Sequence, residues 1–468
     1  MKLPKEYITV GLAVVLMLSA CSVAKKYRRP EQQLPAQYRA TVSVTADSVM
    51  LPWDTFFEDR LLVDLIERAL QKNNEVSIAM LNMQQLDLNY KQAKQSLLPA
   101  LDLNIGASRT WQSKNSLNGS LSQQFVGSSY MDDYIATIGL SWEADIWGKA
   151  RMQQGVARAN YLAQKENISA LKTRIITQVA QAYYNLITLD EQLKVAKRNI
   201  ELGDSTVSMI RLQFKSGQVN SLAVEQAEAQ KKTAELLVPL ALQNIATQEN
   251  ALSILCGSYP DAIERAASLY MPKDVFPLGV PAQLLSRRPD IKAAEYAVIA
   301  ANSQTGLARA AMYPAINLTP SIGANAFQFE KWFDLPGSLV KTIGGNITQP
   351  IFRRRSLQTA YEVAQLEQQK AAIQFKQSVL TAVGEVSDAM AMSKYATERM
   401  QLVEQKTASL SKSAQDALLL YRSGMATYLE VITAQNNALQ NELEAISIQR
   451  DKWNAITDLY RALGGGAE

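Results

Sequence analysis

Two thiols and no imidazole set the chemistry open to this chain. Its 468 residues contain no histidine, which removes the commonest general base near neutral pH and the commonest metal ligand. The cysteines are Cys21 and Cys256. With Cys21 accounted for by the modification described next, no disulfide framework is expected, and Cys256 reads as a small core residue. No glycine-rich phosphate loop with its lysine and no metal-ligand spacing occurs, so neither an enzyme nor a nucleotide-driven machine is expected. The net charge of +4 is spread along the chain and implies no nucleic-acid partner. The remaining candidates surround two related phrases, FKSG from Phe214 and YRSG from Tyr421. In each, a cation (Lys215, Arg422) stands two residues before a glycine (Gly217, Gly424) suited to a tight turn.

Cys21 ends an N-terminal pattern. Lys2 and Lys5 precede an apolar stretch from Tyr7 to Leu18, about 12 residues and too short for a membrane span. The run Leu18-Ser19-Ala20-Cys21 resembles a bacterial lipoprotein signal, whose cysteine becomes the lipid-bearing first residue. Ser22, not Asp, follows; the resemblance then implies the outer membrane. No later stretch has about 18 uninterrupted apolar residues, so no transmembrane helix is expected.

The two phrases belong to a larger duplication. Val76 to Pro99 has the same spacing as Ile291 to Pro314; Thr137-Ile138-Gly139 matches Thr342-Ile343-Gly344, and Ile146-Trp147 matches Ile351-Phe352. The offsets run about 215, 205 and 207. The first copy therefore carries about ten extra residues, in a polar loop over 112–129. Each copy reads helix, strand pair, long helix, SG turn, helix. The strands alternate: Leu101, Leu103, Ile105 and Ala107, then Tyr134, Ala136, Ile138, Leu140 and Trp142, against polar or small residues between. Ile316, Leu318, Ile322 and Ala324, then Leu339, Ile343, Ile347 and Ile351, repeat the pattern. Period two over about ten residues fits a bilayer-crossing strand, and Trp111, Trp142, Trp147, Phe352 and the cluster Phe327, Phe329, Trp332 and Phe333 fall near strand ends. Four strands cannot close a barrel and a bilayer tolerates no open edge, so further copies of the chain are needed.

Long helices must separate strands from turns. Lys149 to Phe214 and Arg354 to Tyr421 lack proline and hold few glycines, which predicts rods of about 65 residues and roughly 100 Å. Asn73–Leu98 with Gln218–Cys256, and Asp290–Tyr313 with Met425–Leu463, sum to about the same length, as if two short helices stacked beside each long one. Pro239 is expected to kink or divide its helix. In the last helix Leu429, Ile432, Asn436, Leu439, Leu443, Ile446, Arg450, Trp453, Thr457 and Tyr460 trace a heptad seam with polar interruptions. Arg353-Arg354-Arg355 reads as an interfacial anchor where strand meets helix.

These features, in this order, resemble the outer-membrane efflux channel family of TolC and OprM, and more closely its lipoprotein branch. The likeness is carried by Leu284-Leu285-Ser286-Arg287-Arg288-Pro289-Asp290-Ile291 with Ala294-Glu295, by Leu140-Ser141-Trp142-Glu143-Ala144-Asp145-Ile146-Trp147-Gly148-Lys149, by Tyr27-Arg28-Arg29-Pro30 with Leu34-Pro35, Trp53 and Phe56-Phe57, by Tyr421-Arg422-Ser423-Gly424 with Tyr428-Leu429, and by Leu463-Gly464-Gly465-Gly466. It covers essentially the whole mature chain.

The resemblance implies a mainly α fold with a membrane β-barrel: a homotrimer whose 12-stranded outer-membrane barrel is continuous with a periplasmic α-helical barrel. The domains would be a signal peptide (1–20), an N-terminal segment and equatorial belt (21–72), repeat 1 (73–256, hairpin about 100–147), an equatorial linker (257–288), repeat 2 (289–463, hairpin about 315–352) and a tail (464–468). It implies passive export of drugs or other small molecules, outer-membrane lipid around the barrel, and two protein partners, a periplasmic adaptor (membrane fusion protein) and an inner-membrane pump of the RND type. A type I protein-secretion duct and a pore-free coiled-coil lipoprotein are the competing readings. Cys21 would carry the lipid. Leu429, Glu430 and Thr433 fall where relatives line the closed end of the tube, though Thr433 stands where many relatives have Asp, and Ala426 where one type has a gate-locking Arg. Lys215, Gly217, Arg422 and Gly424 would form the tip turns and touch the adaptor.

Overall fold

The computed structural model describes residues 26–31, 34–35, 52–113, 116–117, 130–268 and 284–466. Cys21 lies outside them, as do most of the polar loop before the second strand and the middle of the linker. The chain divides into two compact units, Met1–Pro30 with Gln84–Leu162 and Glu295–Ile373, and Glu31–Met83 with Ala163–Ala294 and Gln374–Glu468.

The first unit holds the strands. β1 (Ala100–Thr110) pairs antiparallel with β2 (Met131–Glu143), Ala100 opposite Ser141 and Thr110 opposite Met131. The second hairpin is written in four pieces: β3 (Ala315–Leu318), β4 (Ser321–Ala326), β5 (Leu339–Thr342) and β6 (Gly345–Thr348). β2 pairs with β4 and, further along, with β3. The break does not shift the register: Gly139 faces Ser321 and Trp142 faces Leu318. β4–β5 and β3–β6 are likewise one continuous pairing, joined by the bond from Thr319 N to the Gly344 oxygen (2.8 Å). The second hairpin was expected as two unbroken strands. Pro320, which has no N–H to give, and Gly344 interrupt them without breaking the sheet. The result is a four-strand meander with β1 at one edge and β5/β6 at the other.

α1 (Trp53–Phe56), α2 (Arg60–Lys72), α3 (Asn74–Gln95), α4 (Lys149–Lys215), α5 (Ser221–Leu255), α6 (Leu284–Arg287), α7 (Pro289–Ala310), α8 (Ser356–Arg422) and α9 (Tyr428–Ala462) are the α-helices among the described residues. α4 and α8 each span 67 residues. α5 is a single helix through Pro239. The proline removes one hydrogen bond, at a cost of about 3 kcal/mol, and Ala234, Ala241 and Ile245 are buried on either side of it.

The helical unit packs around α4. α2 places Leu62, Leu65, Ile66 and Ala69, spaced three and four apart, against Ile175, Val179, Tyr183, Leu186 and Ile187, with Leu252 and Cys256 from the end of α5. Cys256 takes the small core position foreseen for it, and burial raises its thiol pKa. Gly257 ends α5 at φ 65°, with a would-be Cβ 2.2 Å from the Lys72 oxygen, so no other residue fits. In α9 the buried residues include Val431, Ala434, Leu439, Asn441, Ile448, Trp453, Ala455, Ile456, Thr457, Leu459, Tyr460 and Ala462. The seam read from the sequence holds in part: Leu439, Trp453, Thr457 and Tyr460 are buried, Ile432, Asn436, Leu443, Ile446 and Arg450 are half-buried, and Leu429 is exposed. Ala434, Ala455 and Ala462 are buried beside these larger residues, and a reading weighted toward size passes over them.

Candidate functional site

Two places concentrate the features a channel would need, the helix-reversal tips and the strand sheet. At both tips the chain turns by a Schellman motif. Gly217 (φ 76°) donates to the Phe214 carbonyl and Gln218 to that of Gln213; Gly424 (φ 74°) donates to Tyr421 and Met425 to Leu420. Nothing lies within 4 Å of a Cβ built at either glycine, so the backbone angle alone demands glycine.

The tips differ after the turn. The Asn220 side chain caps α5 by accepting from Ala223 N at 3.2 Å. At the other tip Thr427 N donates to the Glu430 carboxylate at 2.6 Å, and Thr427 Oγ1 reaches the same oxygen at 3.1 Å. Glu430, expected at the constriction, thus turns back onto the start of its own helix. Thr433 Oγ1 donates to the Leu429 carbonyl at 2.8 Å. Leu429, Glu430 and Thr433 are all exposed on α9, as are Lys215 and Arg422. The structure brings Gly217 and Gly424 into equivalent turns and leaves the predicted cations pointing to solvent.

Beneath the turns, Val207 and Ile210 of α4 and Ala223 and Ala227 of α5 pack against Tyr421, Tyr428 and Val431. The Tyr421 hydroxyl donates to Gln213 Oε1. Burial, then the neighbouring Tyr421, pushes the Tyr428 phenol up to about 12. Ion pairs flank this core, Arg211 with Glu228 (2.6 Å), Lys231 with Asp204 (2.6 Å) and Arg198 with Glu442 (2.7 Å).

The sheet separates its residues by face. Leu101, Leu103 and Ile105 stand beside Leu140, Ile138 and Ala136, then Ile322 and Ala324. Among the described residues Leu103, Ile138, Ile322 and Ile347 are exposed by 66%, 51%, 50% and 71%, an apolar surface largely open in one chain, while Ala324 of the same row is buried. Asp102, Asn104, Thr137, Ser321 and Asn325 occupy the other face. Trp142 Nε1 closes the Leu97 carbonyl at the end of the α3 turn (3.0 Å), and Gln349 does the same for Met312 (3.2 Å). Trp147 donates to the Pro314 carbonyl at 2.7 Å, its ring 4.9 Å from Tyr313.

That geometry corrects the alignment of the two copies. Ile146-Trp147 had been matched to Ile351-Phe352. In the structure α4 and α8 begin at Lys149 and Ser356. Gly148 and Arg355, which precede them, both have positive φ, and Ala100 faces Ser141 as Ala315 faces Thr348. The structural counterpart of Ile146-Trp147-Gly148 is therefore Arg353-Arg354-Arg355, two residues further on. A slip of two leaves every side chain on its own face, so the alternation could not reveal it.

Two structural clusters had no functional reading from sequence alone. Arg288 is 5% exposed and binds Asp290 (2.6 Å), Glu385 (2.6 Å) and the Ala462 carbonyl (3.3 Å). Burial lowers its pKa, but the two carboxylates more than offset this and the net shift is upward. Arg265 ties Asp190 (2.5 Å) to Glu249 (2.5 Å). Both arginines could have been found only by pairing them with distant carboxylates. No group of three or more His, Cys, Asp or Glu among the described residues could hold a metal ion, and no described helix is long and apolar enough to cross a membrane.

Known proteins share this plan. A model of the outer membrane efflux protein family matches residues 65–258 and 280–465, two segments that follow the two copies. The cation efflux system protein CusC of Escherichia coli O6:H1 is 29% identical over 460 residues, covering 97% of each chain. The toluene efflux pump outer membrane protein TtgI of Pseudomonas putida is 29% identical over 475 residues, covering 98% of each. A crystal structure of CusC, described in terms of folding and transmembrane channel formation, superposes with a TM-score of 0.85 at 27% identity, over 95% of this chain and 100% of that one.

Proposed function

The chain belongs to the outer membrane efflux protein family, a family of outer-membrane channels, and from that premise we propose that it is the passive exit duct of a tripartite efflux system. The supporting observation is the sheet. Among the described residues it presents a largely uncovered apolar face, a polar opposite face, and two edges without a strand partner. In water that face would be costly, while in a bilayer it is the required surface. The partners are two further copies, supplying twelve strands, a periplasmic adaptor and an inner-membrane pump of the RND type. The pump supplies the energy. Relatives named for a cation and for toluene match this chain equally well, which supports placing cargo choice in the pump. Cys21 carries the lipid anchor. The tips carry the aperture, with Leu429, Glu430 and Thr433 at its lining and Lys215 and Arg422 toward the adaptor.

The purified chain in a planar bilayer should conduct, and deleting the gene should sensitise the cell to small toxic molecules without loss of a secreted protein. A chain that reaches the outer membrane yet conducts nothing overturns the duct. Cys21→Ser should change the protein's mass and its membrane fractionation; unchanged values overturn the anchor. Glu430→Gln should lower cation selectivity, and unchanged selectivity removes Glu430 from the lining.

A further inference from the structure

The two copies pass from strand to long helix through junctions of opposite charge balance. In copy 1 the chain enters α4 past Asp145. That carboxylate accepts from Ala150 N at 2.8 Å and Arg151 N at 3.3 Å, and it pairs with the Arg151 guanidinium at 2.9 Å. Lys149 is neutralised by Glu143 at 3.0 Å. Both cations there have an anion of their own, and the first amides of α4 have an acceptor.

Copy 2 keeps the backbone and drops the anion. Met152 N donates to the Gly148 oxygen at 2.8 Å, and Thr359 N to that of Arg355 at 2.9 Å, so the two helix starts correspond residue for residue. The counterpart of Asp145 is then Phe352, and those of Ala150 and Arg151 are Leu357 and Gln358. Neither Leu357 N nor Gln358 N has an acceptor among the described residues. Between Asp334 and Glu362 the chain carries Lys341, Arg353, Arg354 and Arg355 and no carboxylate. Arg355 reaches Glu362 at 3.3 Å, while the Arg353 and Arg354 side chains have no partner among the described residues. Arg354 and Arg355 also hold φ of 50° and 64°, where copy 1 has Gly148 at the place of Arg355. Such angles suit glycine, so these side chains are kept at a cost in backbone energy.

We propose that the phosphate of a phospholipid headgroup takes the part in copy 2 that the Asp145 carboxylate plays in copy 1. It accepts from the Arg353 and Arg354 guanidiniums and from the Leu357 and Gln358 amides. The inference rests on the duct reading for the presence of a bilayer, while the demand for an anion comes from the comparison of the two copies. Phosphate oxygens match both kinds of donor, the planar guanidinium fork and the amides of a helix start. The source is a lipid because Ile351 and Phe352, which lead into the arginines, are exposed by 94% and 82% and offer acyl chains an apolar surface. Free phosphate would use the same donors and gain nothing from that pair. The surplus of positive charge favours an anionic lipid such as phosphatidylglycerol.

Native mass spectrometry of the full chain, purified in detergent as the oligomer it forms and titrated with phosphatidylglycerol, tests the site. The parent should retain the lipid at least about fivefold better than the variant carrying Arg353→Gln and Arg354→Gln. Diacylglycerol with the same acyl chains should bind both alike, and inorganic phosphate at the lipid's own concentration should not displace it. Phe352→Asp gives copy 2 the carboxylate of copy 1 and leaves every arginine in place; it should lower lipid retention as far as the double variant does. Arg354→Gly should raise the thermal midpoint in lipid-free detergent and lower lipid retention, a pairing that a merely structural arginine would not give. Equal retention by the parent, the double variant and Phe352→Asp, the result if a carboxylate of a second copy already fills the place, overturns the site. Displacement by inorganic phosphate at the lipid's concentration overturns the lipid as the source. A parent that conducts in planar bilayers yet shows none of these differences fails the site alone and leaves the duct reading standing.

Discussion

The two SG tips turn the chain by the same hydrogen bonds and then diverge in what they fasten. Tip 2 buries its aromatics: Tyr421 is 8% and Tyr428 7% exposed, and they pack on α4 and α5 of copy 1. Tip 1 has Phe214 and Ser221 at the matching places, with Phe214 45% exposed and Ser221 open to solvent. The turn is thus fixed by the backbone and duplicated, whereas the joint between copies is made by side chains and belongs to tip 2. Phe214 thus adds little packing at tip 1, whereas Tyr421 and Tyr428 are part of the core at tip 2.

The most severe way to break this contrast is to remove the fastening ring. Tyr428→Ala should destabilise the tip by about 3 kcal/mol, the cost of deleting a buried aromatic, whereas Phe214→Ala should cost less than about 1 kcal/mol. Hydrogen exchange of the amides around 421–431 and 207–217 in purified protein measures both. Equal losses would mean that the asymmetry is not energetic. The turns themselves should be equal. Gly217→Ala and Gly424→Ala each force a side chain into a left-handed conformation, at about 1–2 kcal/mol apiece, and the same exchange experiment should place them within a few tenths of each other.

Caps give smaller differences. Asn220→Ala should cost about 1 kcal/mol. Glu430→Gln should cost about half that, because the amide oxygen still accepts from Thr427 N. If the Glu430 change costs as much as Asn220→Ala, its charge matters to the helix start more than the geometry suggests.

How far these features could be read beforehand follows from the kind of signal each leaves. The long helices showed because breakers are missing over more than sixty residues, and the strands because alternation is long. The tips showed because both glycines sit in the same phrase. Register did not show, since a pattern of period two is blind to a slip of two, and only the paired backbone of Ala315 with Thr348 set it. The α9 seam was read only in part, because buried Ala434, Ala455 and Ala462 carry no large apolar side chain to announce them, while Leu439, Trp453 and Tyr460 do. Arg288 sat in a quoted phrase, yet its burial depends on Glu385 and the Ala462 carbonyl, nearly a hundred residues and more away, which no local pattern encodes.

The subtlest test lies in the phenols of tip 2. Burial holds the Tyr428 pKa near 12, above the ordinary value of 10.0, so the folded tip favours the neutral ring. Below pH 10 folded and unfolded chains are both protonated there, and the group adds no pH dependence. Between pH 10 and 12 the unfolded phenol loses its proton first, and stability falls as pH rises. Tyr428→Phe removes that loss while keeping the ring. The variant should match the parent at pH 8 and gain on it at pH 11, measured by exchange protection of the tip or by thermal midpoint. Tyr421→Phe should behave otherwise, losing a little at pH 8 because its hydroxyl donates to Gln213. If the two variants respond alike at both pH values, the tyrosines act as one cluster, and the hydroxyl bond to Gln213 contributes nothing measurable to fastening tip 2.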